Sequence, residues 1–198
     1  MFIACLSWQK LAGGFMARVR VLHVITLSEM GGAQKVLYHI AAGLDPAVFD
    51  VSVACAPGGE LVRWLHGLRY VRVNEIAEMR RDISPLNDLK ALLKLFVLIK
   101  KNKYDVVHCH SSKAGVLGRL AAWLAGVPRI IFTVHGWGVN EYQRPLGRFL
   151  YMWAERLAGA LSTKVVCVSE NDFMKGKSLK LVAVKKLEVI YNGLPAPV

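Results

Sequence analysis

Seven short runs of β-branched and apolar residues recur along the chain, separated for the most part by longer stretches with helical periodicity. The runs are Val19 to Thr26, Phe49 to Cys55, Tyr70 to Asn74, Val106 to Cys109, Ile130 to Val134, Val165 to Val168 and Leu187 to Ile190. The helical stretches are Gly32 to Leu44, Glu60 to Leu68, Leu86 to Lys103, Lys113 to Ala125, Leu146 to Leu161 and Glu170 to Leu181. Strands alternating with helices require crossover connections, and so predict an α/β domain with a mostly parallel sheet and helices on both faces. The punctuation agrees: Asp45-Pro46 closes the first helix, Ser84-Pro85 opens the third, and Gly126 with Pro128 stops the fourth.

In an open parallel sheet, ligands bind beyond the carboxyl ends of the strands. The segments to read for function are therefore "LSEMGGAQ", "APGGE", "HCHSSKAG", "HGWGVN" and "SEND". Gly31-Gly32 stands between a strand and a helix, where bare backbone lets N–H groups meet an anion at a helix N-terminus. The pair satisfies neither the G-x-G-x-x-G fingerprint nor a P-loop, so a tight turn without a ligand is an equal reading. Gly58-Gly59 reads as a structural turn.

Around the fourth strand end, His108 and His110 share one face and Cys109 the other. A His-x-His pair suits zinc, but no third ligand stands at a recognisable spacing, and no metal is expected. His110, Ser111, Ser112 and Lys113 instead form a polar lip over the crevice, or else cap the helix that follows. His135 ends the fifth strand and is followed by Gly136 and Gly138 around Trp137, which permits close approach of backbone to a substrate. No Ser or Cys nucleophile with a matching base stands beside it, which argues against a hydrolase triad.

Lys and Arg number 26 against 14 acids, a formal charge of +12 that favours anionic partners such as nucleic acid, membrane headgroups or phosphorylated small molecules. The basic residues are spread along the chain without a nucleic-acid-binding motif, so a nucleic-acid role is the weaker reading. In Leu86 to Lys103, the apolar stripe Leu86, Leu89, Leu93, Phe96 and Val97 is interleaved with lysines, which fits either a helix packed on the sheet or a peripheral membrane surface. "LGRFLYMWAERLAGAL" has the same character. The four cysteines form no CxxC pair, and Cys55, Cys109 and Cys167 sit in or beside apolar runs, which predicts buried thiols and a reducing, cytoplasmic setting. The first residues lack the basic start and sustained apolar run of a signal peptide, and Met16 is a candidate start. No apolar run reaches the ~18 to 20 residues of a membrane span.

Taken together, "GGAQKVLYHIAAGL", "DVVHCHSSKAGVLGRLAAWLAGVP", "TVHGWG", "VSEND" and "VIYNGL" resemble the N-terminal half of retaining GT-B glycosyltransferases, most closely the bacterial group that builds capsular and other surface polysaccharides. The resemblance runs from about Val19 to Leu194. It implies a single Rossmann-like, acceptor-side domain over residues 18–192, with 1–17 an extension, 193–198 the start of a linker and the donor-binding domain absent. It further implies a nucleoside diphosphate sugar as co-substrate without a bound metal, and a glycan or lipid-linked acceptor.

By the same resemblance, Gly31, Gly32 and Gly136 approach the donor diphosphate or sugar, and His135 contacts the transferred sugar. His110, Ser111, Ser112 and Lys113 face the acceptor. The chain alone is expected to be inactive, and a subunit that pairs with a separate donor-binding chain is the alternative. Location is expected in the cytoplasm, at the inner face of the membrane if the basic helices bind it.

Overall fold

A computed structural model describes residues 17–139 and 143–193. Seven parallel strands form one sheet in the order β3-β2-β1-β4-β5-β6-β7. They are β1 (Val19–Val24), β2 (Phe49–Cys55), β3 (Val71–Glu75), β4 (Val106–His110), β5 (Arg129–Val134), β6 (Lys164–Cys167) and β7 (Leu187–Val189). The helices are α1 (Gly32–Gly43), α2 (Glu60–His66), α3 (Pro85–Asn102), α4 (Ser112–Ala125), α5 (Pro145–Leu161) and α6 (Glu170–Ser178). Every predicted strand and helix is present, with ends shifted by a few residues. The largest shift is in α6, which stops at Ser178 instead of Leu181, and Leu181 turns into the core.

The boundaries follow local chemistry. Pro85 and Pro145 occupy the first turns of α3 and α5, where a missing N–H costs nothing. Gly126 ends α4 at φ 77°, a left-handed cap that favours glycine. Ser169 caps α6 by accepting from the Asp172 amide.

Helices cover the sheet in two sets. Leu37 and Ala41 of α1 with Leu61, Val62 and Leu65 of α2 pack on Val51, Val53 and Cys55 of β2. On the other face, Ala91, Leu95 and Ile99 of α3 and Ala114, Ala121 and Ala122 of α4 pack on Leu22, Val24, Val107, Cys109 and Phe132. The stripe that α3 buries is therefore not the one the sequence singles out. Leu86, Leu89, Leu93 and Val97 are exposed, and Phe96 alone of that set is partly buried against the core.

Cys55, Cys109 and Cys167 are free and fully buried in strands, and burial pushes each thiol up to about 12. The N-terminal extension up to Met16, and the linker from Leu194 onward, lie outside the described residues.

Candidate active site

The strand order places β1 beside β4, so the chain reverses its direction of progress across the sheet between them, where a crevice opens at the strand ends. Three loops meet there: the β1–α1 loop with Gly31-Gly32, the β4–α4 turn with Ser111 and Ser112, and the β5–α5 loop with His135 and Gly136. A pocket of about 260 Å³ lies between the first two, lined by Thr26, Leu27, Gln34, Arg81, Ser111, Ser112 and Lys113. A larger one, about 330 Å³, sits at the opposite end of the sheet, around Tyr104 and Gly126, away from these loops.

The first loop leaves backbone available. Gly31 precedes α1, no side chain among the described residues caps that helix, and no acid sits in its first turn. A Cβ on Gly32 would meet nothing within 4 Å, whereas one on Gly31 would lie 3.0 Å from Gln34 Oε1. Gln34 in turn donates to the Leu27 carbonyl at 3.1 Å, holding the loop closed on itself. Gly58-Gly59 behaves as a structural turn. Gly58 has φ 85°, and a Cβ on Gly59 would collide with the Ser28 backbone at 2.2 Å.

The β4–α4 turn is held from β1. Thr26 Oγ1 accepts from the Ala114 amide at 3.0 Å and lies 3.0 Å from Ser111 Oγ. Thr26, rather than either serine, thus caps α4. Ser111 adopts φ 66°, ψ 153°, a conformation costly for a residue with a Cβ, and strain of this kind collects at ligand sites. Ser112 Oγ accepts from the Tyr151 hydroxyl at 3.1 Å. Lys113 reaches toward α3, 2.5 Å from Asp88 Oδ1 and bonded to the Asp82 carbonyl, so its charge is already matched. Arg81 has no ion-pair partner among the described residues and supplies the pocket's open cation.

His110 departs from the expected lip. It is 0% exposed, with Nε2 3.2 Å from His23 Nδ1 and Nδ1 3.3 Å from His135 Nε2. His108 Nε2 lies 2.7 Å from Thr133 Oγ1. Register explains the cluster: His23 pairs with His108 across β1 and β4, and His110 with Thr133 across β4 and β5, all on one face. Burial lowers His23 and His135 to about 4 and holds His108 and His110 well below the usual imidazole range. Asp172 opposes part of that shift at His135.

His23, His108 and His110 each offer a nitrogen within 4.8 Å of the others, which supplies the third imidazole the sequence reading lacked. Such a set could accept Zn²⁺ in donor type.

The β5–α5 loop is locked on both sides. Trp137 Nε1 donates to the Asp172 carbonyl at 2.7 Å, and the Gly138 amide donates to the Tyr151 hydroxyl at 2.9 Å. Gly136 adopts φ 114° with open space where a Cβ would stand. His23, Thr26, Gln34, Arg81 and Tyr151 escaped the sequence reading. Alternation along β1 marks the face of His23, but only strand order supplies its partner.

The Glycosyltransferase Family 4 model matches residues 30–196. The chain belongs to that family. Among curated relatives, this family 4 chain is 36% identical over 180 residues to an Escherichia coli UDP-Gal:alpha-D-GlcNAc-diphosphoundecaprenol alpha-1,3-galactosyltransferase, covering 90% of the chain and 46% of the relative. It is 27% identical to the capsular polysaccharide biosynthesis glycosyltransferase CapM of Staphylococcus aureus, covering 90% and 44%. The chain thus spans about half the length of both. Among solved structures, MurG of Acinetobacter baumannii aligns with a TM-score of 0.62 at 18% identity, over 89% of this chain and 46% of that one. That likeness concerns the fold, which is a GT-B half domain.

Proposed function

We propose that the chain is the acceptor-side half of a retaining, nucleotide-sugar-dependent glycosyltransferase that extends a polyprenyl-diphosphate-linked saccharide. The observation that carries this reading is the pocket at the β1/β4 crevice, where the open cation Arg81 and the strained Ser111 line one cavity with Gln34 of the first turn of α1. A phosphorylated acceptor would place its diphosphate against Arg81 and its sugar hydroxyls against Ser111 and Ser112. The E. coli relative is named for a diphosphoundecaprenol acceptor, which supports this chemistry.

The donor diphosphate would approach Gly31 and Gly32, where helix N–H groups stabilise the charge that develops on the leaving group, with no resident metal in the scheme. Gly136 gives the sugar close access to backbone at the β5 end. No carboxylate among the described residues lines the pocket, so neither a nucleophile nor a general base is assigned to this half. His135 positions the transferred sugar. The rest of the donor site would come from a second Rossmann-like unit, in the same protein or in a partner chain.

The acceptor chemistry also fits the surface. Leu86, Leu89, Leu93 and Val97 of α3, Trp123 of α4, and Leu146, Phe149, Leu150, Trp153 and Leu157 of α5 are all exposed, on helices packed side by side. Lys90, Lys100, Lys101, Arg144 and Arg156 are exposed on α3 and beside or on α5. Apolar stripes edged by cations suit an anionic membrane surface at which a lipid-linked acceptor resides. No helix among the described residues is long and apolar enough to cross a membrane.

Amide NMR of the ¹⁵N-labelled chain, titrated with a short-chain polyprenyl-diphosphate GlcNAc, tests the reading. Perturbations at Ser111, Ser112 and the Arg81 side chain, lost in Arg81→Ala, are expected. Binding that leaves those signals untouched would overturn the acceptor assignment.

A further inference from the structure

Three imidazoles run in line from beneath the sheet face to the crevice. His23 Nδ1 lies 3.2 Å from His110 Nε2, and His110 Nδ1 lies 3.3 Å from His135 Nε2. His110 thus has both nitrogens engaged by other histidines. A neutral imidazole has one donor and one acceptor nitrogen, so fixing the proton on any one ring fixes it on all three. Only two arrangements exist, one donating outward from His23 and one donating inward from His135.

His23 decides between them. Its Nε2 is buried and has no hydrogen-bond partner among the described residues. In the inward arrangement that nitrogen would carry the proton, leaving a buried N–H orphaned. Native interiors tolerate an unpaired acceptor better than an unpaired donor. In the outward arrangement His23 Nδ1–H donates to His110 Nε2 and His110 Nδ1–H donates to His135 Nε2. We infer that His23 and His110 are positioning residues that hold His135 in a single neutral tautomer, protonated on Nδ1, so that its outer nitrogen is a fixed hydrogen-bond donor to a ligand oxygen.

No residue hydrogen-bonds His135 Nδ1 among the described ones. Burial keeps the rings neutral, and the ionisable groups facing the chain are His108 beside His110 and Asp172 toward His135. His108 stays outside the chain because its Nε2 is committed to Thr133. Free histidine favours the proton on Nε2, so the surroundings invert the ordinary preference. If the transferase reading holds, the oxygen is a hydroxyl of the transferred sugar or a donor phosphate oxygen. A neutral donor would serve either without fixing a charge beside the reacting centre.

Long-range ¹H–¹⁵N correlation spectra of the ¹⁵N-histidine-labelled chain read each tautomer directly, without substrate, so the outcome is independent of whether the chain transfers sugars. Near neutral pH, His110 and His135 are expected each as one species protonated on Nδ1. His23→Leu should convert His135 to a mixture of tautomers, and His23→Asn, whose amide replaces the Nδ1 donor, should restore the single form. A wild-type His135 protonated on Nε2 would overturn the inference, and that measurement needs no variant to fold. So would a His135 tautomer indifferent to His23→Leu, or one equivalent of Zn²⁺ shifting the His23, His108 and His110 signals together.

Discussion

The Tyr151 hydroxyl donates to Ser112 Oγ at 3.1 Å and accepts from the Gly138 amide at 2.9 Å, so one side chain of α5 joins the loops that follow β4 and β5. The ring lies so close to Gly138 that a Cβ there would meet it at 2.8 Å. Tyr151→Phe keeps the packing but leaves the Gly138 N–H without its acceptor. A loss of about 1–3 kcal/mol in urea denaturation is expected, with faster amide exchange at Gly138 and Ser112. Unchanged exchange at both amides would contradict the bridge.

Arg119 and Glu155 form an ion pair at 2.7 Å with both side chains fully buried, and the guanidinium lies 4.0 Å above the Phe132 ring. Removing one partner strands the other charge in the interior. Glu155→Gln should therefore cost about 3–5 kcal/mol, while the double variant Arg119→Met/Glu155→Leu should cost far less. Equal losses in the single and double variants would show that the pair does not behave as a desolvated unit.

The buried histidines predict acid sensitivity. Their folded pKa values are depressed, so as pH falls below about 6.5 the unfolded chain takes up protons that the folded chain refuses. Stability is complete above that pH, declines as pH falls, and the loss at His23 and His135 ends near 4, where the folded rings accept protons. For His23, which is fully buried, the loss across the window is about 3 kcal/mol. A Tm that drops from pH 7 to 5 is expected, with a shallower drop in His23→Asn, and a flat profile would refute it.

The two glycine pairs should respond in opposite ways. Gly59→Ala forces the Ser28 backbone to move and should cost about 1–3 kcal/mol. Gly32→Ala meets open space at the start of α1 and should leave stability unchanged or raise it by up to about 1 kcal/mol. In an enzyme assembled with its donor-binding half, Gly32→Val should raise the KM for the nucleotide sugar with the fold intact. Unaltered donor kinetics would remove the diphosphate assignment.

The exposed α5 stripe can be tested without disturbing the core. Phe149→Ser with Trp153→Ser should abolish sedimentation with anionic liposomes and shift stability by no more than about 0.5 kcal/mol per site. Binding that persists, or that does not depend on anionic lipid, would oppose the membrane reading.

Most of the architecture was legible because strands buried on both faces leave continuous apolar runs, as in Ile130 to Phe132, and helices leave a different period. The α3 stripe was legible as a pattern but not as an orientation. Leucines at helical spacing look alike whether they face the sheet or the solvent, and here the smaller set of Ala91, Leu95 and Ile99 faces inward. Lys113 is a similar case. Its place after β4 suggested a ligand contact, yet Asp88 and Asp82 claim its ammonium, a pairing that depends on where α3 crosses.

The sequence by itself determined the alternating α/β order, the loops that line one sheet edge, the buried thiols and the shared face of His108 and His110, because each depends on residues near one another along the chain. The tertiary structure decided that His23 stands beside His108, that His110 lies behind His135 instead of at the surface, and that Thr26 caps α4. Those contacts join residues 25 to 88 positions apart. They follow from the strand order that sets β4 between β1 and β5, and side-chain periodicity carries no information about which strands become neighbours.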